Sequence, residues 1–453
     1  MATAPTLEND EELRLLRQIE EITGGEVTRL ERQPRWRSAW YAEVSRGGRQ
    51  FPLYIRGDKN LDAEPFPGLD REAAILRLFE EGGLPVPHIY GHAHDPEGIV
   101  MDRVAGTRDV SQAQNPEEAQ RIAEEYIEIL ARMHQLDTAP FVAAGITQPK
   151  DPEAIALAYL APHIPLYRRL KQSPQPMIEW ALGWVLRNVP MNRTESCVIH
   201  GDPGQFLFAD GRITCIHDFE ATHIGDPLHD LAALRLRNPT EALGADPDHL
   251  VRHYAKITGI EIDEKAFSFH TAAFMLAAAM SLSGPLANPG PKELQFEYLT
   301  WDVLCRRAML WGMAEHMGVK ITPSPAVEPT EGRSEIVWQM LEATVARIDA
   351  AGSILGEADR NSAVKHMEWA RGEALAAAAH EAADLDRAAG ILGFRPSNWR
   401  EADAALEEFV QAAGPEHDAI LFDYFVRQNE DRVAEALPVR ERLAPYALTP
   451  FRN

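Results

Sequence analysis

Asp202 and Asp218 are the residues of this chain best placed to do chemistry. Residues 197–220 read CVIHGDPGQFLFADGRITCIHDFE. Val198 and Ile199 lead into His200-Gly201-Asp202, and Ile213–Ile216 runs into His217-Asp218-Phe219-Glu220. Both runs are short, apolar and β-branched, and Asp210-Gly211 between them is a hairpin signal. The expectation is that Asp202 and Asp218 sit at the ends of neighbouring strands. One carboxylate there suits taking or orienting a hydroxyl proton, and the other suits holding Mg²⁺.

The stretch 197–237 resembles the catalytic core of the aminoglycoside phosphotransferase and choline kinase family, small-molecule relatives of the protein kinases. That family carries H-G-D-x-x-x-x-N, a hydrophobic strand, D-[FW]-E, then G-D-P-x-x-D-L-A. Here these are His200-Gly201-Asp202, Asp218-Phe219-Glu220 and Gly225-Asp226-Pro227-Leu228-His229-Asp230-Leu231-Ala232. Together they are specific where each alone is weak. The resemblance implies ATP and Mg²⁺ as cofactors, Asp202 as the catalytic carboxylate and Asp218 as a metal ligand. It makes Asp230 a brace for the catalytic loop and His200 a support for it. One position departs from the pattern. The family's Asn falls on Leu207, so the second metal-ligand role is assigned to Gln205, whose amide oxygen reaches from a longer arm over a shorter loop.

These residues need a framework. Residues 8–23 have helical periodicity, with Leu13, Leu16 and Ile19 on one face and Gly24-Gly25 as a stop. Val27–Leu30 and Trp40–Val44 read as strands around a glycine-free turn, where Arg35, Arg37 and Ser38 suit phosphate contacts as well as an ordinary hairpin. Phe51–Arg56 is a third strand. The resemblance asks for a phosphate-holding cation there. Arg56 fits a subgroup linked to acyl-CoA dehydrogenases, which has Arg in place of the usual Lys; Arg grips phosphate bidentately and stays charged. Lys59, past the strand, is the runner-up. Residues 69–83 form a helix whose Glu72 matches the family's partner for that cation. Residues 98–106 resemble the hinge, so adenine would meet backbone groups near Met101, Asp102 and Val104.

Asn115-Pro116 starts a helix as N-cap and first position. Its stripe runs through Ile122, Tyr126, Ile129, Met133 and Leu136, and His134 is read as packing. Tyr159, His163, Tyr167 and Trp180, and later Phe267, His270 and Phe274, are candidates for an acceptor pocket or for core. Residues 320–333 are proline-rich and polar, a linker. Four helices follow. Ile336, Val337, Met340, Leu341, Val345 and Ile348 form one stripe, and Trp338, Trp369, Trp399, Phe409 and Phe422 are available for a small core.

The expected fold is α+β: a protein-kinase-like bilobal fold with a β-rich N-lobe, a helical C-lobe and an additional C-terminal all-helical domain. The expected divisions are 1–105, nucleotide-binding N-lobe; 106–320, C-lobe with catalytic loop and acceptor pocket; 321–333, linker; and 334–453, helical domain. The family resemblance covers about residues 20–320.

The chain has 453 residues, 45% of them hydrophobic, which is enough for several domains with a large core. Its net charge of −24 argues against nucleic acid and anionic membranes as partners. No apolar run approaches the roughly 20 residues of a membrane span, and no signal peptide is recognisable at the N-terminus. Cys197, Cys215 and Cys305 make neither a disulfide framework nor a metal spacing and read as small buried hydrophobes. A cytoplasmic location is expected. Three functions fit. The first is an ATP-dependent phosphotransferase acting on a small-molecule hydroxyl, such as a catabolic alcohol or hydroxyacyl-CoA. The second is an aminoglycoside or macrolide O-phosphotransferase. The third is a nucleotide-binding pseudokinase scaffold. The helical tail suggests a lid over the acceptor or a homodimer contact.

Overall fold

In a computed structural model, the described residues are 10–33, 37–59, 65–66, 68–239, 241–287, 295–325, 335–348, 356–439 and 450–451. Arg35 and residues 326–333 of the expected linker lie outside them. The described residues fall into two compact units, one drawn from 1–162 and 191–263, the other from 163–190 and 264–451.

The first unit opens with a helix, Asp10–Thr23, and an antiparallel sheet of β1 (Glu26–Arg32), β2 (Ala39–Arg46), β3 (Arg49–Gly57), β4 (Ile89–His94) and β5 (Glu97–Asp102). The spatial order is β1-β2-β3-β5-β4. Alternation along β3 buries Leu53 and Ile55 against Trp40, Val44 and Val100, with Leu15 and Ile19 of the helix above them. That helix buries Glu12, Leu15, Ile19 and Thr23, packs Leu16 partly against the same core and turns Leu13 outward, so the buried face is rotated from the expected one and shares Ile19 with it. Arg56, one residue after the core position Ile55, pairs with Ala39 of β2 and Ile99 of β5. The helix Leu69–Glu81 buries Leu69, Ala73, Leu76 and Phe79, and with them Glu72.

The catalytic stretch forms β6 (Cys197–Ile199), β7 (Phe206–Ala209), β8 (Arg212–Ile216) and β9 (His223–Gly225). The Asp210-Gly211 hairpin forms, but its first strand is β7 and not the Val198-Ile199 run. Asp210 (φ 51°) and Gly211 (φ 70°) both occupy the left-handed region, as a type I′ turn requires. β6, however, pairs with β9 and not with β8. Asp202 and Asp218 therefore follow strands of two different ladders. A side-chain contact, His200 Nε2 to the His217 carbonyl at 3.2 Å, joins the two ends. The helix Pro116–His134 starts as its sequence dictates, with Asn115 Oδ1 accepting from the Glu118 N–H at 2.8 Å.

The second unit is helical. Helices His163–Leu170, Pro176–Arg187, Glu264–Ala287 and Gln295–Met317 pack with the tail helices Glu335–Ala346, Gly356–Leu392, Trp399–Ala412 and Asp418–Glu435. This packing does not divide near 320, because buried partners cross that position. Arg307 makes a bidentate pair with Glu430 at 2.8 and 3.0 Å, and Trp180 stacks on Phe425 at 5.3 Å. Tyr167, Trp180, Phe267, His270 and Phe274 are core here rather than pocket lining. The stripe from Ile336 to Ile348 is mostly exposed, Met340 at 65%, and only Val345 is buried. Trp399 is 47% exposed, whereas Trp369 and Phe422 are buried. Helix Glu264–Ala287 does reach the length and hydropathy of a membrane span, contrary to the expectation, but 83% of its apolar window is buried within the protein. All three cysteines are buried and unpaired.

Candidate active site

Arg56 is the hub of the site. β3 carries it out of the hydrophobic core, and its side chain meets three carboxylates. Nε lies 2.9 Å from Glu72, while Nη2 contacts Asp218 and, at 3.1 Å, Glu220. Burial disfavours the guanidinium's charge, but the three carboxylates override it and raise its pKa well above the ordinary value. Burial raises Glu72 in spite of Arg56. At Asp218 burial again opposes the charge; Arg56 outweighs it and holds the carboxyl well below the usual range. Asp218 adopts φ 71°, a left-handed conformation rare outside glycine, which turns the chain sharply after β8.

Glu220 gathers the remaining cations. Arg37, from the loop before β2, donates to it at 2.7 Å, and Lys59 donates to its other oxygen at 2.7 Å. Arg71, next to Glu72, donates to the backbone carbonyls of Glu220 and Thr222. The glycine-free loop and the two rival cations Arg56 and Lys59 thus converge on one carboxylate.

Asp202 is held from two sides. Arg237 Nη2 lies 2.6 Å from Oδ1, and Gln205 Nε2 donates to Oδ2 at 2.8 Å. Arg237 also donates to the Pro203 carbonyl at 2.8 Å, so one side chain fixes both the carboxylate and the loop that bears it. Asp230 anchors the start of that loop, accepting the N–H groups of His200 and Gly201 at 2.8 and 3.0 Å. His134 completes the anchor, 3.0 Å from Asp230 and 2.7 Å from the Tyr254 hydroxyl. It is thus a hydrogen-bonding link and more than packing. Gly201 (φ 93°) cannot carry a side chain, since a Cβ would lie 2.3 Å from the Ala221 carbonyl oxygen. Tyr126 accepts the Gly204 N–H at 2.7 Å.

A cavity of about 500 Å³ is lined by Arg56, Glu72, Met101, Asp102, Val104, Gln205 and Asp218, together with Tyr41, Tyr54 and Leu207. It brings together Arg56, Glu72, Met101, Asp102, Val104, Asp218 and Gln205, the residues expected to hold nucleotide and metal; Asp202 touches it through Gln205, whereas Arg37, Ser38 and Lys59 do not line it. Asp102 is fixed by its N–H to the His88 carbonyl at 2.9 Å and by the Tyr90 hydroxyl at 2.9 Å. Sequence reasoning missed Arg237 and gave Glu220 no role. No group of three or more His, Cys, Asp or Glu suited to a metal occurs among the described residues. Mg²⁺ needs no such cage, since it is commonly held by one or two carboxylates, waters and substrate phosphates. Asp218 and the Gln205 amide are oxygen donors of that kind, and both residues line the cavity.

An α+β unit with this constellation defines a kinase-like phosphotransferase fold. The chain belongs to the phosphotransferase enzyme family, whose model matches residues 12–263, more than half of its length. It is 27% identical over 184 residues to acyl-CoA dehydrogenase family member 11 of Rattus norvegicus and, equally, of Homo sapiens. That match covers 37% of this chain and 23% of each relative, so the chain spans under a quarter of their length. A crystal structure of a candidate aminoglycoside phosphotransferase from Ralstonia eutropha has the same fold, with TM-score 0.52, 18% identity, and coverage of 68% of this chain and 99% of that one. A thermostable mutant of aminoglycoside phosphotransferase APH(4)-Ia is also similar, with TM-score 0.49, 17% identity, and coverage of 67% of this chain and 100% of that one.

Proposed function

We propose that this protein moves the γ-phosphoryl group of ATP to a hydroxyl of a small molecule. The observation that carries this reading is the placement of Arg56. One guanidinium joins Glu72 and Asp218 on the wall of a cavity that also takes in the catalytic-loop residue Gln205. Arg56 would grip the phosphates through its planar fork, oriented by Glu72. Met101, Asp102 and Val104 would border the adenine. Asp218 and Gln205 would hold Mg²⁺, which when bound neutralises charge on the β- and γ-phosphates.

Asp202 orients the acceptor hydroxyl and receives its proton. The acceptor oxygen forms a bond to the γ-phosphorus, the bond to the β-phosphate oxygen breaks, and ADP leaves. The transition state of such transfers is loose, so accurate placement matters more than base strength. The two-sided grip of Arg237 and Gln205 on Asp202 supplies that placement.

The acceptor is proposed to be an alcohol or a hydroxyacyl thioester. An arginine stands at the strand-cation position, and the matched relatives are named for an acyl-CoA dehydrogenase. Purified protein with MgATP and a pool of alcohols, hydroxyacyl-CoAs, aminoglycosides and macrolides tests this by mass spectrometry. A phosphorylated thioester or alcohol that is absent with Asp202→Ala supports the reading. Phosphorylation of an antibiotic alone replaces the acceptor. No product despite MgATP binding points to the scaffold function.

A further inference from the structure

The second unit contains a cavity of about 630 Å³, a size typical of small-molecule sites. Helix Asp418–Glu435 lends it Asn429. This side chain is 1% exposed, yet neither its amide nitrogen nor its amide oxygen has a hydrogen-bond partner. A buried amide left unmatched is destabilising, and an apolar residue would serve the packing better. Asn429 is one of the residues lining this space, and a bound group that reached its amide would supply both missing partners.

The rest of the lining narrows that group. Trp399 presents an indole that is 47% exposed, with the Arg400 guanidinium over its ring at 4.2 Å. Arg306 and Arg432 border the same space. Two bonds to Asp302 at 2.9 Å and one to Gln175 at 3.1 Å fix Arg306 in place. A planar heterocycle with adjacent donor and acceptor pairs bidentately with an asparagine amide. Such rings also stack on tryptophan, and guanidinium groups take phosphate.

We infer that this cavity is a second ligand site, built for a nucleotide-sized phosphate ester. Its ring is read by Asn429 and stacked on Trp399, and its phosphate lies among Arg306, Arg400 and Arg432. All of these residues belong to the second unit, so the site is separate from the Arg56 cavity and does not rest on the function proposed for it.

ADP without Mg²⁺ is the probe, titrated calorimetrically into the full chain. Two equivalents are expected. Asn429→Leu loses one of them and Arg56→Ala loses the other. Trp399→Ala, an exposed change that tests the same site should Asn429→Leu fold poorly, weakens that equivalent about tenfold. A single equivalent abolished by Arg56→Ala and indifferent to Asn429→Leu and Trp399→Ala overturns the inference. So does a crystal soaked in ADP that shows only water on the Asn429 amide. A single equivalent lost in Asn429→Leu and kept in Arg56→Ala upholds this site and counts against the donor site instead.

Discussion

Arg237, the last residue of helix Leu228–Arg237, lies 2.6 Å from Asp202 and also binds the carbonyl of Pro203, so the carboxylate and its loop are fixed by one side chain. Arg237→Ala is expected to lower kcat by about 10- to 100-fold, the cost of a misplaced reactive group, and to leave KM for ATP nearly unchanged. Arg237→Lys should recover little, because an ammonium cannot reproduce the fork that serves both acceptors. Steady-state kinetics on the three proteins decide it. An equal rise in KM would make Arg237 a nucleotide ligand instead.

Arg56 offsets the burial of Glu72 as well as facing the cavity. Its loss leaves that carboxylate without its main partner, so Arg56→Ala should cost about 3–5 kcal/mol of stability. Arg56→Ala combined with Glu72→Gln should recover much of this, since the amide carries no charge to strand. Denaturant unfolding of both variants measures the difference. ATP binding should stay weak in both, which separates the stability role from the ligand role.

Acid should destabilise the first unit in two windows. Burial pushes His223 down to about 3, so the unfolded chain binds the extra proton first. The stability from keeping that ring neutral is full above about pH 6.5 and declines as pH falls toward 3. Burial opposes the charge of Asp230, but His134, with His229 and His200 nearby, outweighs it and depresses its pKa. Its contribution is full above the ordinary carboxylate value near 4 and is lost below it. His223→Phe should flatten the upper window only, and Asp230→Asn the lower one. Urea midpoints between pH 3 and pH 8 would show whether the two windows separate.

Arg307 and Glu430 form a bidentate pair, both nearly inaccessible to water. Arg307→Ala should cost about 3–5 kcal/mol by stranding the carboxylate, whereas Arg307→Met with Glu430→Leu should be close to neutral. Thermal unfolding of the single and double variants tests this. A double variant as weak as the single one would show that the pair also orders the helices it joins.

The sequence made the catalytic stretch readable because its signals are local. A β-branched run, an Asp-Gly turn and an N-capping Asn each act within a few residues. Arg56 and Glu72 were legible through strand and helix periodicity together with the family resemblance. Arg237 was not, because nothing at position 237 distinguishes an arginine that reaches back 35 residues from one in solvent. The pairing of β6 with β9 was hidden for a similar reason: an apolar run states that it is a strand but not which strand it joins. The stripe from Ile336 to Ile348 failed differently. Helical periodicity names a face but cannot say whether anything in the fold covers it, and here most of it stays exposed.

Glu220 gives Arg56, which lines the cavity, and its neighbours Arg37 and Lys59 an internal counter-ion. Arg37, Arg56 and Lys59 already share its carboxylate, so under the proposed function a triphosphate reaching Arg56 would meet a satisfied cation and would enter by exchange rather than by addition. One anion would displace another, and part of the Coulombic gain of binding would be returned as Glu220 let go. A departing diphosphate would meet the same carboxylate returning to its place. Such an arrangement would trade tight binding for ready release, and nucleotide affinity is expected to be less sensitive to salt than with three open cations.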